Sequence, residues 1–288
     1  MRNTEKLANI CGKRQAVTVP GAPNALFARL IEDLGFEVVY VTGAGIANMQ
    51  LGVPDLGLTT ISEVSNTVAS ISDVVELPII VDADTGFGNA LNVIRTIKTL
   101  EKSGASGIQI EDQVFPKRCG HFGGKEVISK SEMVQKIHAA VDARNDQSLQ
   151  IIARTDAAAV EGLSSAIDRA QSYIDAGADI TFVEAPNSQM ELERIANELQ
   201  VPQIANIVYG GKTPDVGKAQ LAEFGFSLVL YANVILQAAL KASHEVLQSL
   251  HEKGSLAAVT EKLASFDDRQ AVVKKFDWDK LEKKYISK

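Results

Sequence analysis

Eight short β-branched runs alternate with amphipathic stretches along this chain, and few folds accept that pattern. The runs are "AVTVPG", "EVVYVTG", "PIIVDAD", "GIQIED", "QIIARTD", "ITFVEA", "QIANI" and "LVLYA". Their apolar residues are nearly continuous rather than alternating, which predicts parallel strands covered on both faces. Between them, "ALNVIRTIKTLEKSGA", "SKSEMVQKIHAAVDARN", "LSSAIDRAQSYIDAGA" and "MELERIANELQ" place apolar residues three and four apart, the spacing of a helix with one buried side. Strand and helix alternating eight times predict an α/β fold of the (β/α)8 TIM barrel type. The 288 residues exceed the ~250 typical of that barrel only modestly. A doubly wound sheet is the competing architecture, but no G-x-G-x-x-G follows the first strand.

Punctuation supports the barrel. "IEDLGFEVV", "LEKSGASGI", "IDAGADITF" and "LAEFGFSLV" each put a glycine where a helix must end before the next strand. The whole chain, 1–288, reads as a single barrel domain, with 233–288 a helical C-terminal extension. That is more helix than one barrel needs, so part of it is expected to pack on a neighbouring subunit.

With 45% hydrophobic and 23% charged residues, the chain can bury a sizeable core. A net charge of -7 and a pI near 5.2 argue against nucleic acid or an anionic membrane as a partner, so an anionic substrate needs a local cationic pocket or a metal. The two cysteines, Cys11 and Cys119, lie far apart, and "MRNTEKLANICGKRQ" lacks the apolar core of a signal peptide. The expected compartment is a reducing cytoplasm, without a disulfide. The longest apolar stretch, "FSLVLYANVILQAALKA", is shorter than a membrane span and reads as a strand leading into a helix.

In such a barrel the reacting groups stand at the C-terminal strand ends and in the loops beyond. Those positions carry Tyr40, Thr42 and Gly43, then Asp82 and Asp84, then Glu111 and Asp112, Arg154 and Asp156, Glu184, and Asn206. Singly, a D-x-D such as "DADTGFG" is commonly a solvated turn. Together at one rim, so many carboxylates repel one another unless a divalent cation joins them. Oxygen ligands without a His/Cys cluster favour a hard ion that keeps its waters, Mg²⁺ with Mn²⁺ as the alternative.

Cys119 has no C-x-x-C partner for zinc. It lies among Lys117, Arg118 and His121 in "PKRCGHFGGKEV", where cations bring a thiol of ordinary pKa ~8.5 closer to neutrality. The local sequence therefore points to a nucleophile or an acid/base.

"VVYVTGAG", "GVPDLGLTT", "VDADTGFGN", "IEDQVFPKRCGH", "IARTDA" and "FVEAP", in this order, resemble the successive motifs of the isocitrate lyase and phosphoenolpyruvate mutase superfamily. "KRCGH" resembles the cysteine loop of its carbon-carbon lyases and not that of the mutases and phosphonopyruvate hydrolases, which lack that cysteine. The nearest branches are 2-methylisocitrate lyase and the group of 2,3-dimethylmalate lyase and oxaloacetate hydrolase; "CGHFGGKEV" and "NIVYGGKTP" are more similar to the second. Tyr209 stands where that group has glutamate, and Ala157 where oxaloacetate hydrolases have serine.

The resemblance implies a lyase that cleaves a 2-hydroxy or 2-keto di- or tricarboxylic acid, through a metal-stabilised enolate, to a 2-keto acid such as pyruvate and a carboxylic acid. It implies Asp84 as the direct metal ligand, with Asp82, Glu111 and Glu184 holding the metal's waters. Tyr40, Thr42, Gly43, Ala44 and Asp55 match substrate-binding positions; Gly120 and Asn206 are placed with them. Arg154 would hold the enolate oxygen, and Cys119, tuned by Lys117 and His121, would give the proton to carbon. A homotetramer or homodimer with exchanged C-terminal helices is implied. The alternatives are an oxaloacetate hydrolase or decarboxylase, a phosphonate P-C bond enzyme, a Schiff-base aldolase using Lys117, and a non-catalytic metabolite-binding barrel.

Overall fold

The computed structural model describes residues 1–118, 120 and 123–286. All eight expected strands form: β1 (Val17–Ala22), β2 (Val39–Val41), β3 (Ile79–Asp82), β4 (Gly107–Glu111), β5 (Gln150–Thr155), β6 (Ile180–Val183), β7 (Ile204–Asn206) and β8 (Leu228–Tyr231). They pair in parallel in the order β6-β5-β4-β3-β2-β1-β8-β7. A single parallel bridge, Thr181 to Gln203, joins the two ends. The Thr181 N–H donates across the same gap to the Pro202 carbonyl (3.0 Å). The sheet is thus a nearly closed α/β barrel.

The four stretches first read as helices are α5 (Ala90–Lys102), α6 (Lys130–Ala143), α7 (Leu163–Asp175) and α8 (Gln189–Glu198), preceded by α1 (Asn3–Gly12), α2 (Ala25–Asp33), α3 (Gly43–Ile46) and α4 (Ile61–Ser72). Their starts are capped by short polar side chains. Thr60 and Glu63 close a reciprocal capping box at α4, and Ser129 Oγ accepts the Glu132 N–H at α6. The punctuating glycines Gly35, Gly104, Gly177 and Gly225 all take positive φ, between 81° and 103°. A Cβ is strained at such φ, so glycine is the residue that lets the helix turn back to the sheet at least cost.

The strands are buried on both faces for different reasons. Outward residues such as Val39, Val81, Ile108 and Ile151 pack under the surrounding helices. Inward residues Val17, Val19, Ile80, Ile152, Ile180, Phe182, Ile204, Leu228 and Leu230 fill the barrel, and Leu7 and Cys11 of α1 close its lower mouth. Gly107 marks the tightest point of that plug: a Cβ there would lie 2.9 Å from Leu7 and 3.2 Å from Ile152.

α9 (Gly217–Phe224) precedes β8, and α10 (Val234–Lys253), α11 (Phe266–Val272) and α12 (Lys275–Tyr285) follow it. No residue of α10, α11 or α12 is buried. Leu240, Phe276 and Trp278 are 69%, 71% and 65% exposed, a large apolar surface for a helical tail.

Candidate active site

The period of two that fills the barrel also builds its upper layer. Two residues above the inward-facing Ile80, Gln109, Ile152, Phe182 and Ile204 stand Asp82, Glu111, Arg154, Glu184 and Asn206. The side chains that plug the barrel below are therefore followed by charged ones at its C-terminal mouth. The two acids of "IED" divide by the same rule. Glu111 points in, whereas Asp112 points out, where Oδ2 accepts from Thr155 Oγ1 (2.7 Å) and Tyr173 Oη (2.8 Å), with Arg169 Nη1 3.5 Å away.

Arg154 is the hub. Its Nε and Nη2 fork onto the two oxygens of Asp156 (2.9 and 3.1 Å). Nη2 also lies 3.1 Å from Glu184 Oε2, Nε 3.3 Å from Glu111 Oε2, and the guanidinium carbon 5.3 Å from the centre of the Phe182 ring. Asp156 itself is held by its own N–H on Asp112 Oδ1 (2.9 Å) and by the Lys125 ammonium on Oδ1 (2.7 Å). Burial would push its carboxyl up, but Arg154 and Lys125 hold it below the ordinary range.

On the other side, Lys117 bridges the Asp55 carboxylate and Asp84 Oδ1, the latter at 2.8 Å. Its burial favours the neutral amine, yet Asp84, Glu111 and Asp55 outweigh that and keep it charged. Asp84 sits at φ 46°, a strained turn that brings its carboxylate back over the strand ends, where its N–H donates to Asp82 Oδ1 (3.1 Å). Tyr40 Oη donates to Gln109 Oε1 (3.0 Å), whose amide donates to Asp82 Oδ1 (3.3 Å). Asn206 Nδ2 lies 3.4 Å from Glu184.

Whether this layer fits a cation can be judged from its oxygens. Among the described residues, no hydrogen bond reaches either Glu111 oxygen, Asp84 Oδ1 or Asn206 Oδ1, although all are buried; Lys117 and Arg154 approach the two acids as ion partners. Burial drives the Glu111 carboxyl well above its usual range against the pull of Arg154, and raises Asp84 to about 6 against Lys117. Among the described residues, Asp55, Asp84, Glu111, Asp156 and Glu184 pair with Lys117, Lys125 and Arg154, and Asp82 is buried beside them. Unmet acceptors and surplus carboxylate fit a divalent cation. Among the described residues no three of His, Cys, Asp and Glu converge closely enough to ligate an ion directly. The arrangement thus suits an ion with one direct carboxylate and several waters.

The expected residues gather as one group. Tyr40, Thr42, Ala44, Asp55, Asp82, Lys117, Gly120, Arg154, Glu184 and Asn206 line one small cavity between the strand ends. Gly43 lies against Asp82 and Asp84, where a Cβ would be 3.2 and 3.4 Å from their oxygens. Cys119 and His121 lie outside the described residues. Next to this cavity, a wider space of about 620 Å³ opens between Asp55, Tyr209 and the Leu236–Leu240 face of α10. Sequence reasoning counted Asp112 and Asp156 alike as rim acids and passed over Lys125 and Tyr173. The strand alternation could have separated the two acids; nothing local announces the partners of Lys125.

The chain matches the phosphoenolpyruvate phosphomutase family over residues 7–251. It is 45% identical to 2-methylisocitrate lyase of Aeropyrum pernix, over 95% of this chain and 88% of that one. It is 40% identical to 2,3-dimethylmalate lyase of Eubacterium barkeri, over 93% of each. Among solved structures, a 2,3-dimethylmalate lyase described as a PEP mutase/isocitrate lyase superfamily member superimposes with TM-score 0.93 at 30% identity, covering 99% of this chain and 95% of that chain. A phosphonopyruvate hydrolase solved with oxalate and Mg²⁺ does so with TM-score 0.89 at 29% identity, over the whole of both chains.

Proposed function

Since this chain belongs to the phosphoenolpyruvate phosphomutase family, we propose that it is a divalent-cation-dependent carbon-carbon lyase of its isocitrate lyase side, splitting a malate or isocitrate bearing alkyl substituents into a 2-keto acid such as pyruvate and a second carboxylic acid. The observation that carries this is the inward layer itself: Arg154 stands beside Glu111 and Glu184, and among the described residues no hydrogen bond reaches the buried Glu111 oxygens or Asp84 Oδ1. Mg²⁺, or Mn²⁺ in its place, would be held by Asp84 directly and through water by Asp82, Glu111 and Glu184, and there it supplies Lewis-acid polarisation of the substrate oxygens.

The chain's own residues do the rest. Tyr40 and Thr42, with the backbone of Gly43 and Ala44, seat the substrate carboxylate, with Asp55, Gly120 and Asn206 completing the pocket. The 2-hydroxyl releases its proton to solvent and becomes the keto oxygen, which balances the proton later taken up at carbon. The electrons of the breaking carbon-carbon bond pass to the departing acid as its enolate. Arg154, locked by Asp156, presents a fixed cation to an oxygen that gains charge, a stabilisation needing no rearrangement at the moment of reaction. Cys119, with Lys117 and His121 nearby in sequence, delivers a proton to the enolate carbon and regains one from solvent.

Lys117 is a poor candidate for a Schiff base. An amine held in its charged form by Asp55 and Asp84 has no free lone pair to attack a carbonyl. We take the chain as one barrel domain acting in the cytoplasm, assembled as a homotetramer or homodimer through the exposed tail after residue 233. The test is release of keto acid from 2-methylisocitrate, 2,3-dimethylmalate, other 2-alkylmalates and oxaloacetate, with and without EDTA. Chelation should abolish cleavage, and borohydride should trap no adduct; a trapped lysine adduct or EDTA-insensitive turnover would overturn the proposal.

A further inference from the structure

We infer that Lys125 is a positioning residue that ties the Gly120 backbone, next in sequence to Cys119, to the carboxylate orienting Arg154, so that Gly120 and Arg154 are held as one unit.

Four contacts close into a ring. Lys125 Nζ donates to the Gly120 carbonyl and, at 2.7 Å, to Asp156 Oδ1. Asp156 takes the fork of Arg154 on both oxygens. Arg154 in turn lies against Gly120: a Cβ on that glycine would be 2.4 Å from Nη2 and 2.7 Å from the Glu184 carboxyl carbon. Gly120 is thus pressed onto the guanidinium on one side and roped to its counter-ion on the other. No other residue type fits there without displacing Arg154.

The ring is dry. The side chains of Lys125 and Asp156 are 1% and 0% exposed. A buried ammonium is costly to install, and Asp156 already has the full fork of Arg154 for a partner, so neutralising that carboxylate does not by itself explain a second cation. What Lys125 adds is reach, because its point charge on a flexible stem can satisfy a carboxylate and a carbonyl at once. Among the described residues, the rest of the segment is held by Lys117 on Asp55 and Asp84 and by a clasp at its base. Gln113 exchanges hydrogen bonds with Arg118 N–H (2.9 Å) and Arg118 O (2.8 Å), and the Val114 N–H meets Glu126 O (2.9 Å). Among the described residues, Lys125 is the side chain that fixes the far end of that loop to the C-terminal rim of the barrel.

The inference rests on the reading of Cys119 and Arg154 as reacting groups, and two independent measurements separate its failure from the failure of that reading. The first needs no substrate: hydrogen exchange of the 113–128 segment in the metal-free protein, comparing wild type with Lys125→Met and the milder Lys125→Gln, each checked by its melting curve. Exchange of that segment should quicken in both variants while the amides of β4 and β5 stay protected. The second is turnover of 2,3-dimethylmalate. Misplacing the reacting groups should lower kcat by about 10- to 100-fold with KM changed far less, and Lys125→Arg, which keeps charge and donors, should recover part of the loss. Unchanged exchange would overturn the tether, whatever the activity. Quickened exchange with unchanged kcat would overturn the link to the reaction. If Lys125→Met fails to fold, Lys125→Gln decides both points; if wild type cleaves none of the acids tried, the exchange measurement still decides the tether.

Discussion

Glu111 and Arg154 are register partners on neighbouring strands, with Nε 3.3 Å from Oε2, yet the pair makes no hydrogen bond because the Arg154 fork is spent on Asp156. An arginine so committed is an oriented donor rather than a general cation. Arg154→Lys should therefore keep the charge and the barrel but lose roughly 10²- to 10³-fold in kcat, the usual loss for a missing oxyanion donor. Steady-state kinetics alongside a melting curve check this; a loss confined to KM would show that Arg154 only binds.

Asp84 is the carboxylate assigned to direct contact with the cation, and its ion pair with Lys117 shows what occupies it otherwise. Asp84→Ala should abolish Mg²⁺ binding in a calorimetric titration, and activity with it, while the circular dichroism spectrum is unchanged. Full turnover by this variant after chelation would remove Asp84 from that role.

Tyr173 and Asp112 test how firmly the site is underpinned. Tyr173→Phe removes one donor to a buried carboxylate that keeps Thr155 and the Asp156 N–H, and should cost about 1 to 2 kcal/mol. Asp112→Ala strips Arg169, Tyr173 and Thr155 of a shared acceptor and should cost about 3 to 5 kcal/mol. Urea midpoints of the two variants, read with their slopes, should fall in that order.

Cys11 should be silent in the native protein. It is 1% exposed in the lower plug, and burial pushes its thiol up to about 12. At pH 8 iodoacetamide should leave it unmodified until denaturant is added, as peptide mass mapping would show. Native labelling at the rate of a free thiol would mean that α1 leaves the barrel floor.

The tail makes its own forecast. Trp278 is the chain's single tryptophan and 65% exposed. If α10 to α12 are covered in the assembly, its fluorescence should shift to the blue as concentration rises, in step with the mass seen by light scattering. A monomer mass with solvent-exposed emission at micromolar concentration would count against assembly.

The barrel was legible because its signals are local. "PIIVDAD" is a strand by its own composition, and Gly104 or Gly177 marks a helix end within a few residues of it. The inward layer was legible too, since a residue at a strand end needs only the sheet's alternation to be placed. What was not legible depends on loops folding back. The Lys125 ammonium finds Asp156 only because the 112–128 segment doubles over Arg154, and no spacing in "GGKEV" encodes that return. Asp112 was misjudged for a simpler reason. Counting acids ignores that its neighbour Glu111 already owns the inward direction.

A hoop under tension parts where it is thinnest. β4 and β5 pair over five positions, whereas β6 and β7 meet through one bridge, Thr181 to Gln203. Glu184 and Asn206 stand on either side of that thin stave, 3.4 Å apart. Warming would spread this joint first, pulling the two side chains away from each other while every other seam holds. Activity should then fade at temperatures where the circular dichroism is still that of the folded barrel, with one gap in the rim setting the working range.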